Sequence, residues 1–455
     1  MVKLVFQVSV RYLFQSARRI CGLQIMPMMR NWIQLAGLLY CFFFLNNQVN
    51  AQRQVNYDET RVPAYSLPDP LGLPDGNPVR GMNEWVHERR PQIVRAFEHE
   101  MYGKMPDQQL TPTYTVLEES DTAIHGLAVR RQVEITFENN GHRLKMLLLV
   151  YLPRGNEQAP LFVGLNFYGN QTITTDPAVL LTTSWVPNNT EFGIQDNHAS
   201  EASRGVRISR WTVEKIISAG YGLATMYYGD IDPDRDDFTD GVHPLFYRKG
   251  QMRPDADEWG AIGAWAWGLM RIMDYLQQDS RVDPSRIVLM GHSRLGKAAL
   301  WAGALDPRYA IVISNDSGCG GAALSRRKYG ETVQTINTAF PHWFCTNFKQ
   351  YGDHEADLPV DQHELIALIA PRPVYIASAQ EDQWADPKGE YLSGLHASPV
   401  YALFGLLGLE SATPPAVNDP VMHDIGYHIR TGGHDVKDYD WEQYILFADM
   451  HFKRK

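Results

Sequence analysis

Along the chain the apolar positions change period several times, and each change marks an element. Trp85, Val86, Ile93, Val94, Phe97 and Tyr102 recur at helical spacing and predict a helix over 82–102. From about 112 to 166 the pattern is that of strands: Tyr114 to Leu117, Leu127 to Phe137, Leu144 to Leu152 and Leu161 to Phe167. The last two are nearly continuous apolar runs, as in strands covered on both faces. Further short apolar runs follow at Gly222 to Tyr227, Ile287 to Met290, Ala310 to Ile313 and Val374 to Ala377, separated by helical stretches such as 259–277 and 296–305. Strands alternating with helices predict a mainly parallel sheet in an α/β fold. No internal repeat and no second domain boundary is visible, so 81–455 reads as one domain. Residues 52–80, rich in Pro, Gly and Asp and without periodicity, read as an extended lead-in.

Residues 1–51 hold five basic residues and no acidic one, and end in the apolar run Leu35 to Leu45. The run is short for a membrane span. With Arg30 before it and Val49-Asn50-Ala51 after it, the arrangement is that of a secretory signal, and Met26, Met28 and Met29 offer later start positions. Tyr40 is bulky where a lipoprotein signal needs a small residue before Cys41. Export leaves 404 residues, raises the formal charge from −10 to −15 and makes a nucleic-acid partner unexpected. The expected location is secreted or periplasmic, with no stable membrane insertion after signal removal. Only Cys319 and Cys345 remain in that chain, and an oxidising compartment predicts one disulfide between them.

The candidate chemistry starts at Arg286 to Lys297, R-I-V-L-M-G-H-S-R-L-G-K. A buried strand runs into Gly291-His292-Ser293-Arg294-Leu295-Gly296-Lys297 and then into a helix. That is the setting of a nucleophile elbow, which presents a serine hydroxyl on a sharp strand-to-helix turn. The second glycine stands one position later than in G-x-S-x-G, so the general motif is not matched. A serine nucleophile needs a base, and the base needs a carboxylate; in α/β-hydrolases both follow the serine in the chain. His434, in Thr431-Gly432-Gly433-His434-Asp435 ahead of an amphipathic helix, fits the base better than His354, His363, His423 or His428. His363-Glu364 lacks the second histidine of a zinc motif. Two carboxylates qualify as the acid, Asp316 and Asp382, each just after an apolar strand. The Asp230, Asp232, Asp234, Asp236, Asp237 run has Arg235 where a calcium loop needs glycine, and reads as a solvated acidic loop. No metal and no cofactor is expected.

The segment G-H-S-R-L-G-K, with Asn315-Asp316-Ser317-Gly318-Cys319-Gly320-Gly321 and Arg326-Arg327-Lys328-Tyr329-Gly330-Glu331 downstream, resembles the bacterial branch of carbohydrate esterase family fifteen, the glucuronoyl esterases. Its pattern G-x-S-R-x-G-K accounts for the displaced glycine. The resemblance implies an α/β-hydrolase fold, a three-layer αβα sandwich, and a monomeric secreted serine esterase. Its substrate would be the ester between (4-O-methyl-)glucuronic acid of glucuronoxylan and lignin alcohols, cleaved through a glucuronoyl-serine intermediate. It further implies Ser293 as nucleophile, His434 as base, Arg294 as the oxyanion-stabilising group, and Lys297, Glu331 and Trp384 as sugar contacts. Fungal relatives carry a glutamate at the place of Asp316, and bacterial ones can carry the acid at the place of Asp382; the shorter Asp316 gives Asp382 a slight preference. The cysteine that precedes the serine in the fungal branch, and its partner beside the histidine, are here His292 and Asp435. A broader esterase for acetyl or other sugar esters, and a catalytically silent carbohydrate-binding protein, are the alternatives.

Overall fold

The computed structural model describes residues 55–155 and 158–453. The expected signal segment 1–51 lies outside the described residues. The compact unit that carries the fold begins at Asn56.

A ten-stranded sheet forms the middle layer, in the order β1-β2-β3-β5-β4-β6-β7-β8-β10-β9. The strands are β1 (Thr113–Ala123), β2 (Ala128–Asn139), β3 (His142–Pro153), β4 (Ala159–Asn166), β5 (Gly222–Tyr227), β6 (Val282–His292), β7 (Ile311–Asn315), β8 (Val374–Ala379), β9 (Val421–Met422) and β10 (Ile425–Arg430). β1, β2, β3 and β5 pair antiparallel, β5 through β10 run parallel across β4, β6, β7 and β8, and β9 closes the far edge antiparallel to β10. This is the α/β-hydrolase architecture. The helices that matter here are α1 (Arg90–Phe97), α2 (Val213–Ser218), α3 (Ala261–Leu276), α4 (Arg294–Leu305), α5 (Val333–Ala339), α6 (Gln362–Ala367), α7 (Pro387–Leu403) and α8 (Asp438–Phe452).

Alternation along the central strands sends neighbouring side chains to opposite faces. Phe162, Leu223, Val288, Ile313 and Tyr375 pack with Ile216 of α2 and Trp441, Tyr444 and Phe447 of α8. Their neighbours Val163, Ala224, Leu289, Val312 and Ile376 pack with Trp265 of α3, Leu300 and Trp301 of α4 and Val400 of α7. Both faces are covered, which is why the strands read as unbroken apolar runs. The helical stretch 82–102 is continuous but contains two wider π-type turns, Trp85–Arg89 and Glu98–Tyr102, on either side of α1.

The Pro- and Gly-rich segment after Asn56 is held against this unit. Gly330 N donates to Asn56 O at 2.9 Å, Glu59 meets Arg327 and Lys388, and Arg89 donates to the Asp69 and Pro70 carbonyls.

The expected disulfide is corrected: Cys319 and Cys345 are both free, buried thiols. Cys345 caps the turn Thr346–Tyr351, with its N bonded to Met101 O and its Sγ directed to His99 O at 3.7 Å. Cys319 belongs to the loop after β7, in a bridge with Ala323. Each cysteine is fixed by its own backbone neighbours, and burial raises both thiols above their ordinary range.

Candidate active site

Strand register decides what can meet. His292, Asn315, Ala377 and His428 lie side by side across β6, β7, β8 and β10. The loops that leave the carboxyl ends of these strands therefore open on one edge, carrying Ser293, Asp316, Asp382 and His434.

Ser293 sits between β6 and α4 with φ 57° and ψ −131°, a conformation rarely held by a residue with a side chain. Tight packing around it forces the turn. A Cβ on Gly291 would lie 2.1 Å from Leu295 O, and one on Gly296 would lie 2.9 Å from Ser317 Cβ and 3.1 Å from Gly291 O. The glycine one place late in the motif is thus the one against which the β7 loop packs. Ser293 N donates to Asn315 O at 2.9 Å and ties the turn to that loop.

His434 Nε2 is 2.9 Å from Ser293 Oγ, and its Nδ1 is 2.6 Å from Asp382 Oδ2. Both loops behind this chain are anchored. Gln380 N donates to Arg430 O and Glu381 N to Gly432 O, joining the acid loop to the histidine loop. Arg430, buried at the end of β10, grips Asp440 through Nε and donates to the Thr431, Gly433 and Asp435 carbonyls. Sequence reasoning missed this arginine; its place directly before Thr431-Gly432-Gly433-His434 was the only signal.

Asp316 is drawn into the same cluster: it, Asp382 and His434 offer donor atoms all within 4.8 Å of one another. Both ring nitrogens of His434 are engaged with Asp382 and Ser293. Asp316 Oδ2 instead lies 3.5 Å from Arg430 Nη2 and 3.4 Å from Asp435 N. Burial, with repulsion from Glu390 and Asp382, pushes its carboxyl well above the ordinary range. The other histidines are occupied elsewhere: His363 by Pro68 O, His423 by Gly408 O, and His428 by Asp440 and Tyr375. His354 lies exposed beside Asp357.

Arg294 reaches over an aromatic floor, 4.7 Å from the Trp343 ring and 5.5 Å from that of Phe340, two rings stacked on each other. Lys297, one turn further along α4, is buried and donates to Ser317 O. Burial pulls its ammonium down while Glu331 pulls it up. Burial raises Glu331 in turn, against Lys297, the Trp384 side chain, Arg294 and His434. Trp384 is 39% exposed, and Glu331 N donates to its carbonyl at 3.0 Å. The His434 side chain is 42% exposed, so this edge of the sheet opens directly to solvent.

The acidic run corrects the sequence reading. Asp230, Asp232 and the Asp234 carboxylate are buried rather than solvated, while the Asp236 and Asp237 side chains stay exposed as expected. Asp230 accepts from Ser184, Thr182 and Leu147 N. Asp234 pairs with Arg294.

Comparison with known proteins fits this arrangement. A family model described as "Glucuronyl esterase, fungi" matches residues 215–405. A carbohydrate esterase from an unknown prokaryotic organism is 51% identical over 400 residues, covering 88% of this chain and 92% of its own. The chain belongs to carbohydrate esterase family 15. A solved structure of a promiscuous esterase of family 15, from a marine bacterial metagenome, superposes with a TM-score of 0.83 at 51% identity, over 87% of this chain and all of that one. The glucuronoyl esterase from Solibacter usitatus gives 0.82 at 48% identity, over 86% of this chain and 99% of its own. Membership makes the chain a carboxylic ester hydrolase.

Proposed function

We propose that this protein is an exported serine esterase that hydrolyses esters of (4-O-methyl-)glucuronic acid, as in the links between glucuronoxylan and lignin alcohols. The observation that carries this reading is the hydrogen-bonded chain Ser293–His434–Asp382 near the buried Lys297 and the half-buried Glu331. Ser293 Oγ attacks the ester carbonyl while His434 Nε2 takes its proton, and Asp382 holds the Nδ1–H tautomer and steadies the imidazolium. Arg294 faces the charge that grows on the carbonyl oxygen, where a positioned cation counts most. Collapse releases the alcohol, protonated by His434, and leaves a glucuronoyl-serine ester. Water then attacks, again through His434, and frees the uronate.

The ester masks the carboxyl charge of the sugar, so binding must read hydroxyls. Lys297 supplies donors, Glu331 acceptors and Trp384 an indole N–H with a flat apolar face. An open edge suits a branch on a polymer. Export is supported by the composition of residues 1–51, and no helix among the described residues is long and apolar enough to cross a membrane.

Purified protein is expected to turn over benzyl glucuronate, and Ser293→Ala to lose that activity while still binding glucuronoxylan. The promiscuity named for the marine relative favours a second reading, a broader sugar-ester esterase. Faster turnover of acetylated xylan than of benzyl glucuronate would replace the first reading with that one. Binding without any hydrolysis would leave a silent carbohydrate-binding protein.

A further inference from the structure

We infer that Asp234 is a positioning residue that holds the Arg294 guanidinium in place for the reaction, clamping in the same grip the aromatic floor beneath it. The inference rests on the reading of Arg294 as the group that meets the oxyanion.

An arginine side chain has four rotatable bonds, and one that must meet a transient charge gains nothing if it has to be ordered at that moment. The elbow fixes only its Cα. Fixing its far end requires a second anchor, and Asp234 is the carboxylate paired with Arg294. Four donors from three parts of the chain converge on it. Arg294 Nη1 and the Tyr228 hydroxyl, the latter at 3.1 Å, share Oδ2. His342 Nε2 at 2.8 Å and Trp343 Nε1 at 2.7 Å share Oδ1. One carboxylate thus joins the turn after β5, the start of α4 and the loop after α5.

The anchor is itself secured. Trp265 Nε1 donates to Asp232 O at 2.8 Å, and Tyr228 is packed edge-on against Trp265. Burial alone would raise the Asp234 carboxyl; the His342 hydrogen bond, the Arg294 charge and the Trp343 hydrogen bond outweigh it and hold it at about 2. The clamp is therefore charged throughout the range in which an esterase works. Its geometry also sets the Trp343 ring, which carries Arg294 at 4.7 Å and lies 5.8 Å from Lys297 Nζ. Arg294 and the lysine assigned to the sugar are thereby built on one plate.

The test is a double-mutant cycle on benzyl glucuronate hydrolysis, with active sites counted by a covalent serine reagent so that misfolded protein does not enter kcat. Arg294→Ala should lower kcat by about 100-fold or more, and Asp234→Asn by about 10- to 100-fold with KM within about twofold. In the Arg294→Ala background, Asp234→Asn should cost less than about twofold further, because there is no guanidinium left to hold. A merely structural Asp234 would give losses that multiply in the double variant, and that outcome overturns the inference. Full kcat in Asp234→Asn beside a crippled Arg294→Ala overturns it while leaving the Arg294 reading intact. Full kcat in Arg294→Ala overturns both. Should Asp234→Asn fail to fold, Tyr228→Phe keeps the shape and deletes only the hydroxyl on Oδ2. A kcat loss of about threefold that disappears in the Arg294→Ala background then supports the clamp, and an unchanged kcat, or a loss that persists there, overturns it.

Discussion

Two carboxyls compete for one imidazole, and their surroundings set them apart. Asp382 comes off β8 on a loop tied to the histidine loop, and its Oδ2 stands 2.6 Å from His434 Nδ1. Asp316 follows β7 directly, at φ 44°, and turns toward Arg430 with one oxygen buried and unpartnered among the described residues. Burial and two neighbouring carboxyls favour its neutral form. An asparagine is close in shape and charge to a protonated aspartate, so Asp316→Asn should keep kcat within about threefold. Asp382→Asn instead loses the acceptor that selects the tautomer and should lower kcat by about 100- to 10,000-fold. Steady-state kinetics of the two variants on one glucuronate ester decide it; a larger loss at Asp316 would reverse the roles. From the sequence both acids were visible, because each follows an apolar strand, and the preference for Asp382 rested on reach. The buried charges around them were not visible. Glu390 and Arg430 lie 74 and 114 residues from Asp316, and Asp234 lies 60 from Arg294; no local pattern marks a residue whose partner is supplied by another loop.

The elbow shows at the scale of an element why a motif has its spacing. In this turn the residue two after the serine, Leu295, is buried, and the tight contact with the β7 loop falls on Gly296. Gly296→Ala puts a methyl 2.9 Å from Ser317 Cβ and 3.1 Å from a carbonyl oxygen, neither the end of a flexible chain. Overpacking of this kind should cost about 1–3 kcal/mol, seen as a lower thermal midpoint, and should shift the Ser317 carbonyl that accepts from Lys297. Unchanged stability would show that the β7 loop yields freely. Elements with strong periodicity were legible: all the apolar runs from β1 to β8, the helix over 82–102, α3, α4 and α8. β10 was not, because Ile425 to Arg430 mixes Gly, His and Arg into a central strand. Its polar members are buried by partners distant in sequence: His428 lies between Tyr375 and Asp440, and Arg430 grips Asp440. Hydrophobicity patterns cannot register polar residues that are buried in pairs.

Across the whole molecule, several buried carboxyls have their neutral form favoured by burial, Glu390 among them beside the candidate site, and this couples stability to pH. Glu390 on α7 accepts from Ser378 Oγ at 2.6 Å in β8 and from Gly318 N at 2.9 Å in the β7 loop, joining the strand that leads to Asp382 with the loop that carries Asp316. Burial, opposed by the Ser378 and Gly318 hydrogen bonds, pushes it up to about 8; burial likewise pushes Glu364, at the start of α6, to about 8 against the pull of Arg89. For a carboxyl whose folded value is raised, the stability linked to its proton is complete below the unfolded value near 4.5 and is lost as pH rises through the folded value. Each group should therefore contribute a fall of up to about 1.4 kcal/mol per pH unit between roughly pH 4.5 and 8. Asp234, held at about 2, acts in the opposite direction but only below its unfolded value, so it does not flatten this window. The buried His292, His363 and His428, whose charged forms burial disfavours, act in the opposite direction below about pH 6.5, so thermal midpoints of the wild type should decline from about pH 6.5 to pH 8.5. Glu390→Gln removes one of these titrations and should make that decline shallower, whatever its effect at a single pH. Parallel curves for the two proteins would mean that Glu390 stays ionised in the fold, and the brace between that strand and that loop would then be a charged one.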